Sequence, residues 1–169
     1  AFDRFAFKAH GILGANRFET FTYFDADYLP LSALDEELQP AAADGKFIAC
    51  EDSCERWSLE QSKWLGVPVG EAPAVNSGLF TGNMRAHRGL LERWRGLMSD
   101  WERYKRVFYD QGALNAAILL ERTEVVARPR ELWNQTGILF EMAEADEVGF
   151  DGDVAIYRPT CERVRGWHS

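Results

Sequence analysis

"TYFDADYLPL", residues 22–31, runs apolar and aromatic side chains straight into two carboxylates, Asp25 and Asp27, one residue apart. It closes the longer stretch "RFETFTYF" (17–24), whose β-branched and aromatic composition predicts a strand covered on both faces. The two aspartates then fall at the carboxyl end of that strand, where open α/β sheets gather their ligands. Paired carboxylates suit a hard cation such as Mg²⁺ or Mn²⁺, which takes oxygen ligands and bridges to phosphates. They equally suit an Asx-type turn with Asp27 exposed.

Outward from this stretch, helices and strands alternate. Upstream, Phe2, Phe5, Ala6, Ala9 and Leu13 recur at helical spacing and predict a helix over 2–13 that Gly14 ends. Downstream, "SALDEEL" predicts a short helix, "KFIACE" (46–51) a strand, and 53–73 an irregular, Gly- and Pro-punctuated segment. "AVNSGLFTGN" (74–83) has a strand's composition interrupted by Asn-Ser-Gly. Residues 85–104 carry Leu90, Leu91, Trp94, Leu97, Met98 and Trp101 at helical intervals, an amphipathic helix. A second helix is predicted over 110–122 with Asp110 as its cap, then a strand at 124–129, a loop at "ELWNQTGI" and a last strand at 153–159. The order predicts one α/β domain over 1–169.

Composition narrows the function. With 169 residues, 46% of them hydrophobic, the chain is long enough to enclose a core. A net charge of -8 argues against a nucleic-acid partner, which calls for a basic face. The same charge makes an anionic ligand hard to hold unless a metal ion or a local basic cluster stands between. No apolar run is long enough to span a bilayer, and no signal-peptide pattern opens the chain. The three cysteines, at 50, 54 and 161, read as free thiols in a reducing, cytoplasmic setting. His10 and His87 fall in predicted helices and read as surface or packing residues.

Two further stretches bear on the chemistry. In "VNSGLFTGN" (75–83), Asn76 and Ser77 precede Gly78 inside a strand, where a glycine permits close approach of ligand or backbone, or marks a bulge. In "YDQGALN" (109–115), Asp110 and Gln111 open a helix and Asn115 follows one turn later, either as a site or as a cap with a solvated first turn. Haloacid-dehalogenase-like phosphohydrolases also place D-x-D after a buried strand. They need a downstream lysine and a later acidic pair. "GFDGD" (149–153) offers acids, but no lysine lies beyond Lys105.

In this order the motifs resemble those of retaining glycosyltransferases of the GT-A fold, especially family eight, the glycogenin-like and lipooligosaccharide galactosyltransferase-like group. The family's D-x-D strand, N-[SA]-G run, D-Q-x-x-L-N helix and following loop read here as "YFDADYLPLSAL", "VNSGLFTGN", "YDQGALN" and "RPRELWN". The resemblance covers roughly residues 1 to 140. It implies a GT-A-like mixed sheet flanked by helices, and a transferase using a nucleotide-sugar donor, UDP-sugar above all, a carbohydrate or glycoconjugate acceptor, and Mn²⁺ or Mg²⁺. Asp25 and Asp27 would hold the metal and donor diphosphate. Asn76, Ser77, Gly78, Asn115 and Asn134 would contact substrate, and Asp110 and Gln111 would lie beside the anomeric carbon.

Two departures from the family follow. Its nucleotide-binding strands normally precede the D-x-D strand, and here one helix does, which implies a missing N-terminal half or self-association through an uncovered sheet edge. Its closing histidine motif is replaced by "YRPTCERVRGWHS" (157–169). His168 is left as the candidate third metal ligand, with Arg158, Arg163 and Arg165 as candidate phosphate clamps. Two alternatives stand beside this reading. One is a nucleotidyltransferase on a related fold, which would carry a Gly-rich basic loop near its start that is not visible. The other is a decayed transferase serving as a non-catalytic binding domain.

Overall fold

The structure is a computed structural model that describes residues 7–52, 63, 66, 74–99, 109–133 and 147–168, without the side chains of Asp35, Tyr109, Trp167 and His168. It is mixed α/β. In chain order the elements begin α1 (Phe7–Gly14), β1 (Thr20–Phe24), β2 (Tyr28–Pro30), α2 (Asp35–Ala43) and β3 (Phe47–Glu51). β4 (Val75–Asn83), α3 (Arg88–Met98), α4 (Tyr109–Glu121), β5 (Val125–Arg128) and α5 (Arg130–Trp133) follow. The last strands are β6 (Val148–Asp151), β7 (Val154–Tyr157), β8 (Glu162–Arg163) and β9 (Gly166–His168).

The central sheet has the order β1-β4-β3-β5. β4 is antiparallel to both β1 and β3, and β5 is parallel to β3, so the sheet is mixed. Its two faces are covered by different helices. Phe47 and Ala49 of β3 pack with Leu91 and Trp94 of α3 and Leu114 and Ile118 of α4. Ile48 and Cys50, pointing the opposite way as strand alternation requires, pack with Leu38 of α2 and Trp133 of α5. Burying the Trp94, Phe47 and Phe80 side chains in the first cluster contributes about 2–3 kcal/mol each by area removed from water.

Several expectations need correcting. β1 is not covered on both faces: its five residues are half-buried or exposed, and among the described residues it pairs only with β4. The fully enclosed strand is β4, where eight of nine residues are buried. The Asn-Ser-Gly interruption does not end β4. Ala49 faces Phe80 and Glu51 faces Val75, so two steps along β3 match five along β4. Val75 and Phe80 consequently share one core face although regular alternation would separate them. Asn76, Ser77 and Gly78 are the residues that arch away from β3, while Leu79 keeps its pairing with β1.

Elsewhere, the short helix runs later than expected, over 35–43, and "ELW" belongs to α5 rather than a loop. Asp110 lies inside the first turn of α4, which is described from Tyr109, rather than ahead of it as a cap. The last predicted strand is β7, the centre of a three-stranded antiparallel sheet, and β9 pairs with β2. These short C-terminal strands, two to four residues long, offer too few positions for alternation to be read from sequence. Residues 53–62, the end of the 85–104 helix from residue 100, and Asn134 lie outside the described residues.

Candidate functional site

Asp25 follows β1 directly, and its backbone N–H donates to the Gly78 carbonyl at 2.9 Å, so the strand's end is tied to the arched part of β4. Gly78 N–H in turn donates to Asn76 Oδ1 at 2.6 Å, an Asx contact that closes the arch on itself. A turn follows Asp25, with Tyr28 N–H donating to the Asp25 carbonyl at 3.0 Å. Asp25 is half-buried against this backbone, and Asp27 is exposed at the mouth.

The side chain that organises the region is Lys8 of α1. Its Nζ lies 2.8 Å from Asp25 Oδ1, 2.8 Å from Asp110 Oδ2 and 3.5 Å from Ser77 Oγ. The three side chains of the ion-pair group are 11% (Lys8), 19% (Asp25) and 5% (Asp110) exposed, so solvent screening is weak. Asp110 Oδ2 accepts no directed hydrogen bond among the described residues, and its partner is the ammonium charge. Tyr23 OH donates to Asp25 Oδ1 at 2.7 Å, and the Lys8 ammonium stands 5.4 Å from the Tyr23 ring centroid. Burial pushes the Tyr23 phenol well above its ordinary range, and donation to Asp25 and the charges of Asp25, Asp110 and Asp27 push it the same way. Tyr23 is thus a fixed donor.

The helix end of the site is equally tied down. Gln111 Oε1 accepts from Ser77 N–H at 3.3 Å. Asn115 Oδ1 accepts from Val75 N–H at 2.8 Å, and its Nδ2 donates to the Val75 carbonyl at 2.8 Å and the Gln111 carbonyl at 3.0 Å. Both the oxygen and the nitrogen of that amide are engaged with backbone, so Asn115 clamps α4 to β4. Trp94 Nε1 donates to the Asp110 carbonyl at 3.0 Å from within the core. The aspartate's backbone is therefore fixed by α3 while its carboxylate is fixed by α1.

Three stretches separated by as many as 85 positions, Asp25 to Asp110, meet at one ammonium. Sequence reading had singled out Asp25, Ser77, Asp110 and Gln111, and these are brought together. Asn76 and Gly78 shape the arch beside them. His168 pairs by backbone with Tyr28, next to Asp27, while its side chain lies outside the described residues, as does Asn134. Lys8 and Tyr23 were missed. The signal for Lys8 was its position: it stands one turn before Ile12 on a helix whose other described residues are mostly apolar.

An open cleft of about 960 Å³ lies over this cluster. Lys8, Gly11, Ile12 and Ala15 of α1 and its extension form one wall, and Phe21, Thr22, Tyr23, Asp25 and Asp27 the other. Lys8 stands between the carboxylates of Asp25 and Asp110, and Asp27 places a third carboxylate at the mouth. The all-oxygen donor set of Asp25, Asp27 and Asp110 suits a hard divalent cation, provided that Lys8 yields part of its place. Among the described residues no group of three or more His, Cys, Asp and Glu is assembled as a ready metal cage. No described helix is long and apolar enough to cross a membrane.

The chain was compared with protein-family models and with curated proteins. Neither comparison gives a match.

Proposed function

We propose that this chain is the metal- and acceptor-binding part of a glycosyltransferase of the GT-A type, moving a sugar with retention from a UDP-sugar to a carbohydrate or glycoconjugate acceptor. The observation that carries the reading is the convergence of "FDAD", "NSG" and "DQ" on Lys8, at 2.8, 3.5 and 2.8 Å respectively, beside an open cleft. Buried charges gathered beside a cleft from distant stretches are costly to desolvate and mark a candidate functional site.

In this reading Asp25 and Asp27, with His168 by resemblance, would hold Mn²⁺ or Mg²⁺. A divalent ion there supplies Lewis-acid neutralisation of the leaving nucleoside diphosphate. The chain's own residues do the rest. Lys8 brings a positive point charge to an otherwise acidic cleft and so lowers the cost of admitting an anionic donor. Asp110, fixed through both its carbonyl and its carboxylate, is a preorganised negative charge able to stabilise cationic character on the sugar ring. The arch at Asn76 to Gly78 lets a ligand approach backbone closely, and the edge of β1, paired only with β4 among the described residues, is where further strands or another subunit would join.

A second reading, a binding domain without turnover, is favoured by one specific feature: Lys8 already occupies the space between Asp25 and Asp110. The two separate in a UDP-release assay with a panel of UDP-sugars and Mn²⁺, run with any partner subunit needed for activity. The transferase reading expects Mn²⁺-dependent release that falls on the order of a hundredfold in Asp110→Asn. Binding of UDP-sugars with no release by the wild type would favour the binding domain.

A further inference from the structure

We infer that Tyr23 sets the cation preference of the cleft: by holding one oxygen of Asp25 it makes that carboxylate a one-oxygen ligand, suited to Mn²⁺ or Mg²⁺ and poorly suited to Ca²⁺. This rests on the metal-dependent transferase reading and goes beyond it, to the residue beside the ligands that selects the ion. Tyr23 and Asp25 stand two positions apart at the end of β1, and both line the cleft. The Tyr23 hydroxyl donates to Asp25 Oδ1 at 2.7 Å. The ring behind that hydroxyl is held in place. It stacks on Phe80 with centroids 5.2 Å apart and planes at 25°, and Phe80 is 1% exposed in the core. Tyr23 is therefore a positioning residue, in contact with a candidate ligand rather than with the ion.

The two oxygens of Asp25 are held differently. Lys8 Nζ reaches both, Oδ1 at 2.8 Å and Oδ2 at 3.0 Å, whereas Tyr23 donates to Oδ1. A cation that displaces Lys8 therefore meets Oδ2 first, while Oδ1 remains committed to a fixed hydroxyl. Chelation through both oxygens would require Tyr23 to give up its bond, and a half-buried hydroxyl left without its acceptor is costly. The ions differ in what they ask of a carboxylate. Mg²⁺ demands near-octahedral geometry, which the narrow bite of a two-oxygen carboxylate distorts, and Mn²⁺ shares that octahedral preference. Ca²⁺ takes more oxygens in a looser geometry and readily uses both oxygens of one carboxylate. A hydrogen bond that fixes a ligating carboxylate thus bears directly on which ion is held, and losing such a bond typically costs about 10- to 100-fold in metal affinity.

Calorimetric titration of Mn²⁺ and of Ca²⁺ into wild type, Tyr23→Phe and Tyr28→Phe tests this, with binding rather than turnover as the readout. Tyr23→Phe keeps the ring on Phe80 and removes the hydroxyl alone. Tyr28→Phe removes a nearby hydroxyl that donates to the Trp133 carbonyl, and so controls for a general loosening of the fold. The expected result is that wild type binds Mn²⁺ more tightly than Ca²⁺. That ratio falls roughly tenfold in Tyr23→Phe and is kept in Tyr28→Phe. Tyr23→Met, which removes hydroxyl and ring together, loses the same ratio and decides the matter if the phenylalanine variant does not fold. Retention of the ratio in a folded Tyr23 variant, or an equal loss in Tyr28→Phe, would overturn the inference and leave the transferase reading standing. Equal binding of Mn²⁺ and Ca²⁺ by wild type would do the same. Binding of neither ion by wild type would overturn the metal-dependent reading itself, and this inference with it.

Discussion

The chain contains two D-x-D stretches, "FDADY" (24–28) and "FDGDV" (150–154), each with a phenylalanine before the first aspartate and each at the end of a strand. Their surroundings are opposite. Asp25 meets a lysine from α1, a tyrosine hydroxyl from its own strand and the backbone of β4. Asp151 and Asp153 flank Gly152, whose φ of 59° makes the hairpin turn between β6 and β7, and both are exposed. Spacing of carboxylates is the same in the two places. What differs is whether other elements bring charge to meet them, and among the described residues the first pair alone has a member, Asp25, built into a cluster. A motif becomes a site through its partners.

The largest way to break that contrast is to remove the partner. Lys8→Met removes the ammonium that lies between Asp25 and Asp110, and should cost about 3 kcal/mol in urea unfolding at neutral pH. Added Mn²⁺ should restore much of that loss and bind more tightly than to wild type, since its competitor is gone. An unchanged unfolding midpoint in this variant would mean that the ion-pair group is not a cluster in solution.

A smaller effect concerns the strand after the first pair. A Cβ on Gly166 would collide with the Tyr28 hydroxyl, which itself donates to the Trp133 carbonyl at 2.7 Å. Gly166→Ala should therefore detach β9 from β2 at a cost of about 2 kcal/mol, read by thermal melting. The turn glycine of the second pair, Gly152, has open space around it but a positive φ, so Gly152→Ala should cost only about 1 kcal/mol.

The gentlest test is pH. His87 is buried beside Asn83, whose N–H donates to His87 Nδ1 at 2.9 Å. Burial lowers its pKa below the ordinary 6.5, partly opposed by the Asn83 carbonyl. The folded state thus favours neutral imidazole. Its contribution is fully present above the unfolded value and is lost as pH falls through the lower folded value. His87→Phe should flatten that part of the acid limb in a stability-versus-pH series, and an unaltered limb would show that other groups set it.

How much of this was written in the sequence depends on the range of each interaction. The helix carrying Leu90, Leu91 and Trp94, the strands near 47–51 and 125–128, and the polar residues Asp25, Ser77, Asp110 and Gln111 were legible from periodicity and local composition. The half-buried faces of β1 were not, because what covers a strand is decided by contacts between distant segments. Lys8 was not legible for the same reason: nothing near it in sequence announces two carboxylates 17 and 102 positions away. Asn115 was legible as a polar residue on the right face of α4. Only the structure shows its amide spent on the backbone of Val75 and Gln111.

The central claim is that the first D-x-D belongs to a ligand site and the second does not. Melting temperature with UDP-glucose and UDP-galactose, with and without Mn²⁺, measures this directly in wild type, Asp25→Asn and Asp151→Asn. A ligand at a hundred times its dissociation constant stabilises the native state by about 2.7 kcal/mol, well within reach of the method. The account predicts a Mn²⁺-dependent rise in wild type that Asp151→Asn keeps and Asp25→Asn loses. A rise of the same size in Asp25→Asn, or none in wild type, would contradict it.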